Sequence, residues 1–323
     1  MPPISRSVVV ITGASSGVGR ATALAFARKG ATVALLARRR EPLESLAADC
    51  RGLGATAYVA DLDVRDDQSV SDAARDIIAA HGRIDVWVNN AAVIAYGRLE
   101  DVPPDVWRAV VQTNLFGTYH GIRAALPWMR EQGSGVIINV NSIIGKTEAP
   151  YQSAYIAAKH AIRALGAAVR QETKDAPGIR VSTVLPAAID TPFFRSGANV
   201  TGRQVVPPGP AIDARRVADA IVRTARRPRR EVIVGGSTRM GLIGARLSPG
   251  AAERISARLV DAQHFTDDPA PRTEGNVLEP ITTGADIDGG WRDLDKRSRM
   301  RTVLTVGALT TAAAVTARRW LRS

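Results

Sequence analysis

Short β-branched apolar runs alternate with helix-like stretches from residue 7 to residue 234, and this alternation restricts the fold more than any other feature. The runs are Ser7 to Ile11, Thr32 to Leu36, Thr56 to Ala60, Ile84 to Val88, Val136 to Val140, Ile179 to Leu185 and Glu231 to Val234. Short apolar runs bounded by turn residues read as strands buried on both faces. Between them, Arg20 to Lys29, Pro42 to Leu53 and Gln68 to His81 have helical composition. Strands that alternate with helices at this spacing build a parallel sheet with right-handed crossovers. The expected fold class is α/β: a Rossmann-like, doubly wound, mainly seven-stranded parallel sheet flanked by helices, plus a C-terminal extension.

The first crossover carries Thr12-Gly13-Ala14-Ser15-Ser16-Gly17-Val18-Gly19. A strand, a glycine turn and a helix place a phosphate on backbone N–H groups at the helix N-terminus. The spacing is G-x-x-x-G-x-G, and the bland alternative is a plain glycine-rich loop. Strand two ends in Ala37-Arg38-Arg39-Arg40, with no acidic side chain to take a ribose 2′-OH. Arginine there suits a 2′-phosphate, so NADP(H) is expected over NAD(H), with Arg38 the main contact and Arg39 or Ser15 assisting. A solvated basic turn is the competing reading. Asp63-Val64 follows strand three, where a side chain meets the adenine. Asn89-Asn90-Ala91-Ala92 follows strand four, where small residues let the backbone pass a ribose, though two asparagines equally cap a turn.

The stretch Asn141 to Lys159 holds the reactive groups. Ser142 ends the fifth strand run. Tyr155 falls in the first turn of a helix, and Lys159 follows one turn later on the same face. A free phenol has a pKa of about 10, and bringing it to ~7 takes roughly 4 kcal/mol of differential stabilisation. A nearby ammonium lowers it, and with a bound cationic nicotinamide it supplies that amount. Alone, Y-x-x-x-K also fits an ordinary amphipathic helix with a surface lysine. Asn114 lies in a helical stretch that it disfavours, which calls for a kink, a functional polar group or a satisfied buried amide. The Gly/Pro-rich segment from Pro186 to Pro210 reads as a substrate lid, with Phe193, Phe194, Val205 and Val206 as its apolar inner face.

Together these elements resemble the short-chain dehydrogenases/reductases, in their compact single-domain branch. The matching residues are Thr12-Gly13-x-x-x-Gly17-x-Gly19, Asp63-Val64, Asn89-Asn90-Ala91-Ala92, Asn114, Ser142, Tyr155-x-x-x-Lys159, and Pro186 with Thr191. They run in the family's order over residues 5–260. Ala92 and Ala187 stand where glycine is commoner in the family, and the extended branch has a different glycine spacing. The resemblance implies hydride transfer between a nicotinamide and a carbonyl or secondary alcohol. It implies Tyr155 as general acid/base, Ser142 holding the reacting oxygen, and Lys159 holding the ribose and lowering the phenol's pKa. Asn114 would anchor a relay water, and Thr191 the carboxamide. Gly13, Ser15, Ser16, Gly17, Val18 and Gly19 would line the cofactor, joined by Asn90, Ala91 and Pro186. The expected substrate lining is Ile94, Tyr96, Ile143, Ile144, Tyr151, Phe193 and Phe194, which suits a mainly apolar molecule. A homo-oligomer follows by analogy with the family. A non-catalytic NADP-binding scaffold or redox sensor is the alternative, and Ser142, useless to a pure binder, argues against it.

Composition narrows the partners. The lone Cys50 cannot pair internally, which points to a reducing, cytoplasmic setting. No His/Cys cluster has metal-ligand spacing, so no metal is expected. The net charge of +12 comes from scattered arginines without interleaved aromatics, so no nucleic-acid partner is expected. The N-terminus lacks a secretory apolar segment. Residues 1–260 form the expected dinucleotide-binding and catalytic domain, 261–295 an irregular arm or linker, and 296–323 a basic–apolar tail. In that tail Thr302 to Ala317 are 16 uncharged residues flanked by arginines and Trp320. That is short of the ~20 a spanning helix needs. Peripheral membrane contact, a helix packing on the body or a partner subunit, and a disordered tail all stay open for it.

Overall fold

The computed structural model describes residues 2–235, 256–258 and 260–292. The helix read over Met240 to Leu259 falls largely outside these residues, and the tail 296–323 lies wholly outside them.

In chain order the strands are β1 (Val8–Thr12), β2 (Thr32–Ala37), β3 (Ala57–Asp61), β4 (Val86–Asn89), β5 (Ala95–Tyr96), β6 (Gly135–Val140) and β7 (Ile179–Pro186). They continue with β8 (Ile189–Asp190), β9 (Ala198–Asn199), β10 (Arg203–Val205), β11 (Ile212–Asp213), β12 (Glu231–Val234) and β13 (Phe265–Pro269). Seven of them form one parallel sheet in the order β12-β7-β6-β4-β1-β2-β3. The α/β doubly wound expectation holds, down to the strand number. The helices are α1 (Gly17–Ala27), α2 (Arg40–Gly52), α3 (Asp67–His81), α4 (Pro104–Val111), α5 (Gly117–Glu131), α6 (Ser153–Glu172), α7 (Phe193–Ser196) and α8 (Ala214–Arg226).

Every side chain of β1 is buried, and successive ones go to opposite faces as the pleat requires. Val9 and Ile11 join Phe26 of α1 and Ile221 of α8 on one face. Val8 and Val10 join Ile77 of α3 and Met129 of α5 on the other. A third apolar cluster, including Tyr96, Tyr155 and Phe265, lies apart from both. Local signals set the ends of several helices. Asp66 caps α3 by accepting from Gln68 N (3.1 Å), and Gly82 closes it at φ 72°. Asp213 caps α8 by accepting from Arg215 N at 2.8 Å. Between α4 and α5, residues Gln112–Phe116 form a π-helical turn. Asn114 sits inside it, where the sequence anticipates a kink.

β1 is flanked by β2 on one side and β4 on the other, so the winding direction reverses there. Ligands of such sheets bind in the crevice above the strand ends at that reversal. Fully buried Asp85, just before β4, ties β1 to its neighbour. Its Oδ2 accepts from Val8 N (2.9 Å) and Arg83 Nε (2.8 Å). Asp85→Ala strands the buried Val8 N–H and is expected to destabilise the fold by about 2 kcal/mol in urea unfolding. A loss under ~1 kcal/mol would show that water replaces the carboxylate there.

The last described segment, 260–292, is not a free linker. It runs from β13 back across the carboxyl ends of the sheet, reaching the residues that follow β1, β2 and β8. Among the described residues no helix is long and apolar enough to cross a membrane.

Candidate active site

The loop after β1 is built by close packing. A Cβ on Gly19 would stand 2.1 Å from Gly13 O, and one on Gly13 would stand 2.7 Å from Ala91 Cα. Gly13 also takes φ +65°, where a side chain is strained. The segment after β4 staples this loop. Thr12 Oγ1 accepts from the N–H groups of Asn90 (3.0 Å) and Ala91 (3.1 Å), and Asn90 Nδ2 donates to Thr12 O at 3.0 Å. Asn90 thus acts first on the loop's shape.

Above the loop lies a cavity of about 290 Å³. Gly13, Ser15, Ser16, Gly17 and Val18 line one wall, with Arg38, Arg39, Asp63 and Val64 beside them. Asn90, Ala91, Pro186 and Thr191 continue it toward Ser142, Tyr155 and Lys159. Ile94, Ile144 and Phe193 line the far end. Four residues expected at the site do not line the cavity: Gly19, Asn114, Tyr96 and Tyr151. Gly19 is packed beneath the loop. Tyr96 is buried in the third cluster with its hydroxyl unpaired. Tyr151 holds a strained φ of 66° and packs edge-on against Phe265. The amide of Asn114 is spent on the main chain of Val93, accepting from its N–H at 2.8 Å and donating to its carbonyl at 2.9 Å. It is the satisfied buried amide among the sequence alternatives, and Thr113 lines the cavity instead.

Ser142 stands where β6 ends and a short 3₁₀ turn begins. Asn141, unremarked in the sequence, locks that point to α6. Its Nδ2 donates to Lys159 O (2.8 Å), and its Oδ1 accepts from Ser142 N (2.7 Å). Tyr155 lies in the first turn of α6, with its ring centroid 5.8 Å from that of Phe193. One turn on, Lys159 is 2 % exposed. Its Nζ donates to Val140 O at 3.1 Å and lies 5.3 Å from the Tyr155 ring centroid. Burial governs the electrostatics of both. It lowers the Lys159 ammonium to about 7. It pushes the Tyr155 phenol well above its ordinary value, with Ser142 opposing that shift. The lowering of the phenol expected from Lys159 is therefore not the governing effect. Desolvation outweighs a charge that is itself partly suppressed.

His264 was invisible in the sequence, lying beyond the matched motifs in a stretch without periodicity. It is 1 % exposed, lines the cavity and packs edge-on against Phe194 at 5.8 Å. Its Nδ1 faces Val206 O, which only accepts, so Nδ1 carries the proton and Nε2 is a bare acceptor. Burial lowers its pKa, which keeps the ring neutral.

The profile of the short chain dehydrogenases matches residues 7–199 of this chain. The chain belongs to that family. The uncharacterized oxidoreductase YxnA of Bacillus subtilis is 32% identical over 283 residues, covering 84% of this chain and 78% of its own. Among solved structures, a short-chain dehydrogenase from Streptomyces avermitilis is similar at a TM-score of 0.68 and 33% identity, over 76% of this chain and 94% of that one. A metagenomic short-chain oxidoreductase in complex with NADP matches at a TM-score of 0.62 and 30% identity, over 72% and 98%. The short-chain dehydrogenase described here is thus a nicotinamide-dependent oxidoreductase with a small-molecule substrate. Its cavity fits such a cofactor: a glycine loop opening a helix, two arginines at the end of β2, and an apolar chamber at the far end.

Proposed function

We propose that this oxidoreductase uses NADP(H) and interconverts a carbonyl with a secondary alcohol on a mainly apolar substrate, with Tyr155 as general acid/base. The observation that carries the reading is a single cavity with Arg38 on one wall and the Ser142, Tyr155 and Lys159 side chains on another. The cofactor, when bound, supplies or accepts the hydride. In the reductive direction Tyr155 gives its phenolic proton to the carbonyl oxygen as charge develops there. The Ser142 hydroxyl donates to the same oxygen. Lys159, charged below pH 7 and about half charged near it, offsets the cost of the phenolate that forms. In the oxidative direction the same phenolate takes the alcohol proton. Ile94, Ile144, Phe193 and Phe194 offer the substrate an apolar surface, and His264 Nε2 gives it one hydrogen-bond acceptor. A screen of ketones and alcohols followed by NADPH consumption tests the activity. No turnover with any of them, in a protein that binds NADPH, would favour a binding-only protein.

Arg38 carries the cofactor preference. Burial lowers its guanidinium pKa, yet an arginine stays charged at any working pH. Arg38→Asp is expected to weaken NADPH binding by roughly two orders of magnitude more than NADH binding, since only NADPH brings a phosphate for a guanidinium to bind. Equal losses for both cofactors in a fluorescence titration would remove Arg38 from that role.

A further inference from the structure

The segment Asn276 to Asp286 crosses the cofactor wall of the cavity, with Val277 buried in the third apolar cluster and polar ties to that wall made by its own main-chain carbonyls. Arg38 donates to Asn276 O (2.5 Å) and Leu278 O (3.4 Å), and Arg65 donates to Leu278 O (3.1 Å). Arg39 donates to Ile281 O (3.2 Å), Thr283 O (2.6 Å) and Gly284 O (3.1 Å). Gly17 N, the first amide of α1, donates to Asp286 O at 2.9 Å. Both ends of the segment are pinned. At the start, Asn276 N donates to Ser196 O (2.8 Å), and Gly275 packs so closely that a Cβ would lie 2.4 Å from that oxygen. At the end, Asp190 accepts from Gly289 N (3.0 Å) and Trp291 N (2.9 Å), while the Trp291 indole donates to Thr191 O at 3.0 Å. The result is a bow held at two points, with the cavity still open beneath it. Pro280, Ile281, Thr283 and Gly284 line that cavity alongside the glycine loop.

We propose that residues 276–286 are a strap that closes over the adenosine half of the bound dinucleotide, so that the cofactor cannot leave until the strap lifts. The inference rests on the cofactor reading above and adds to it a second binding wall. The strap and a 2′-phosphate do not compete for Arg38. A guanidinium has five N–H donors, and the strap takes up two of those on Arg38. Arg39 differs. The strap and Ser15 place two acceptors on each of its terminal nitrogens, against one on each for Arg38. Arg38 is left to read the phosphate, and Arg39 is a positioning residue that holds the strap down. Because the strap's polar contacts to that wall are all carbonyls, its grip depends on its path, which Gly275, buried Val277 and Trp291 set.

The test is the dissociation rate of NADPH and of NADH from the full-length protein, followed by stopped-flow fluorescence with an excess of competing oxidised cofactor. Gly275→Ala and Trp291→Ala should each speed dissociation of both cofactors by roughly tenfold or more, with association changed far less. Arg39→Ala should speed both equally, whereas loss of Arg38, which gives up two strap contacts as well as the phosphate, should speed both and NADPH far more. Hydrogen exchange on the unaltered protein gives a readout independent of any variant, since the amides of 276–286 should be slowed by NADPH. Unchanged dissociation in the variants, or unchanged exchange in the segment, overturns the strap and leaves the cofactor reading standing. Tighter binding in the variants overturns it too, because the segment would then be a plug. An Arg39→Ala loss confined to NADPH removes Arg39 from the strap. Failure of the unaltered protein to bind either cofactor sinks both readings.

Discussion

Tyr155→Phe is expected to cut turnover by about three orders of magnitude while NADPH binds within a few-fold of the unaltered protein. The substitution removes one oxygen from a ring packed 5.8 Å from Phe193 and leaves the apolar contacts in place. What it deletes is the hydroxyl that, on the proposed reading, passes a proton to the substrate's carbonyl oxygen. Steady-state rates on a ketone found in the screen, beside a fluorescence titration of NADPH, separate the two effects. Turnover within tenfold of the unaltered protein would take Tyr155 out of the chemistry. Weakened NADPH binding with an unchanged rate would instead make it a cofactor contact.

Lys159→Met should trade activity for stability. Burial lowers the ammonium from 10.5 to about 7 in the folded protein. The unfolded chain keeps its proton up to a pH of about 10. The stability present above that pH is therefore lost progressively as the pH falls from about 10 to about 7, and below 7 the desolvation cost is complete. At ~1.4 kcal/mol per unit, that cost is on the order of 5 kcal/mol. Methionine removes it but leaves Val140 O without its donor, which gives back about 1–2 kcal/mol. The net expectation is a gain of roughly 3 kcal/mol at pH 6 that falls to under ~1 kcal/mol at pH 9, read from urea unfolding at both. Activity should collapse at pH 6, where the unaltered protein keeps a cation beside the phenol and the variant has none. A gain equal at the two pH values would mean that Lys159 is not desolvated as its burial implies.

The two substitutions pull in different directions because one helix turn serves two needs. The i, i+4 spacing delivers a phenol and an amine to one face at no structural cost. The same face is buried against β6 and Phe193, which suppresses the charge on the amine. That tension explains why a short Tyr-x-x-x-Lys stretch reads ambiguously in sequence: the spacing is common, while the burial that tunes it comes from segments far away.

Much of the frame was readable in the chain before any coordinates. Strand boundaries fall within a residue or two of the apolar runs, because alternation of sheet and helix is written in local periodicity. The glycine loop, the arginines ending β2 and Ser142 at the end of β6 were also readable, since each follows directly on a strand in the sequence. Asn114 shows the limit. Its poor helix propensity marks the π turn correctly, yet which partner takes its amide is a tertiary matter, and Val93 takes it.

Local order in the amino acids was enough to dictate a doubly wound sheet and to bring a hydroxyl, a phenol and an amine to its carboxyl edge. Folding in three dimensions decided how those groups are charged, that His264 faces the chamber, and that a stretch without any periodicity lies across Arg38 and Arg39. The reason is physical. Periodic patterns report what a residue does with its near neighbours, whereas desolvation, and main-chain contacts across some 240 positions, depend on which surfaces meet.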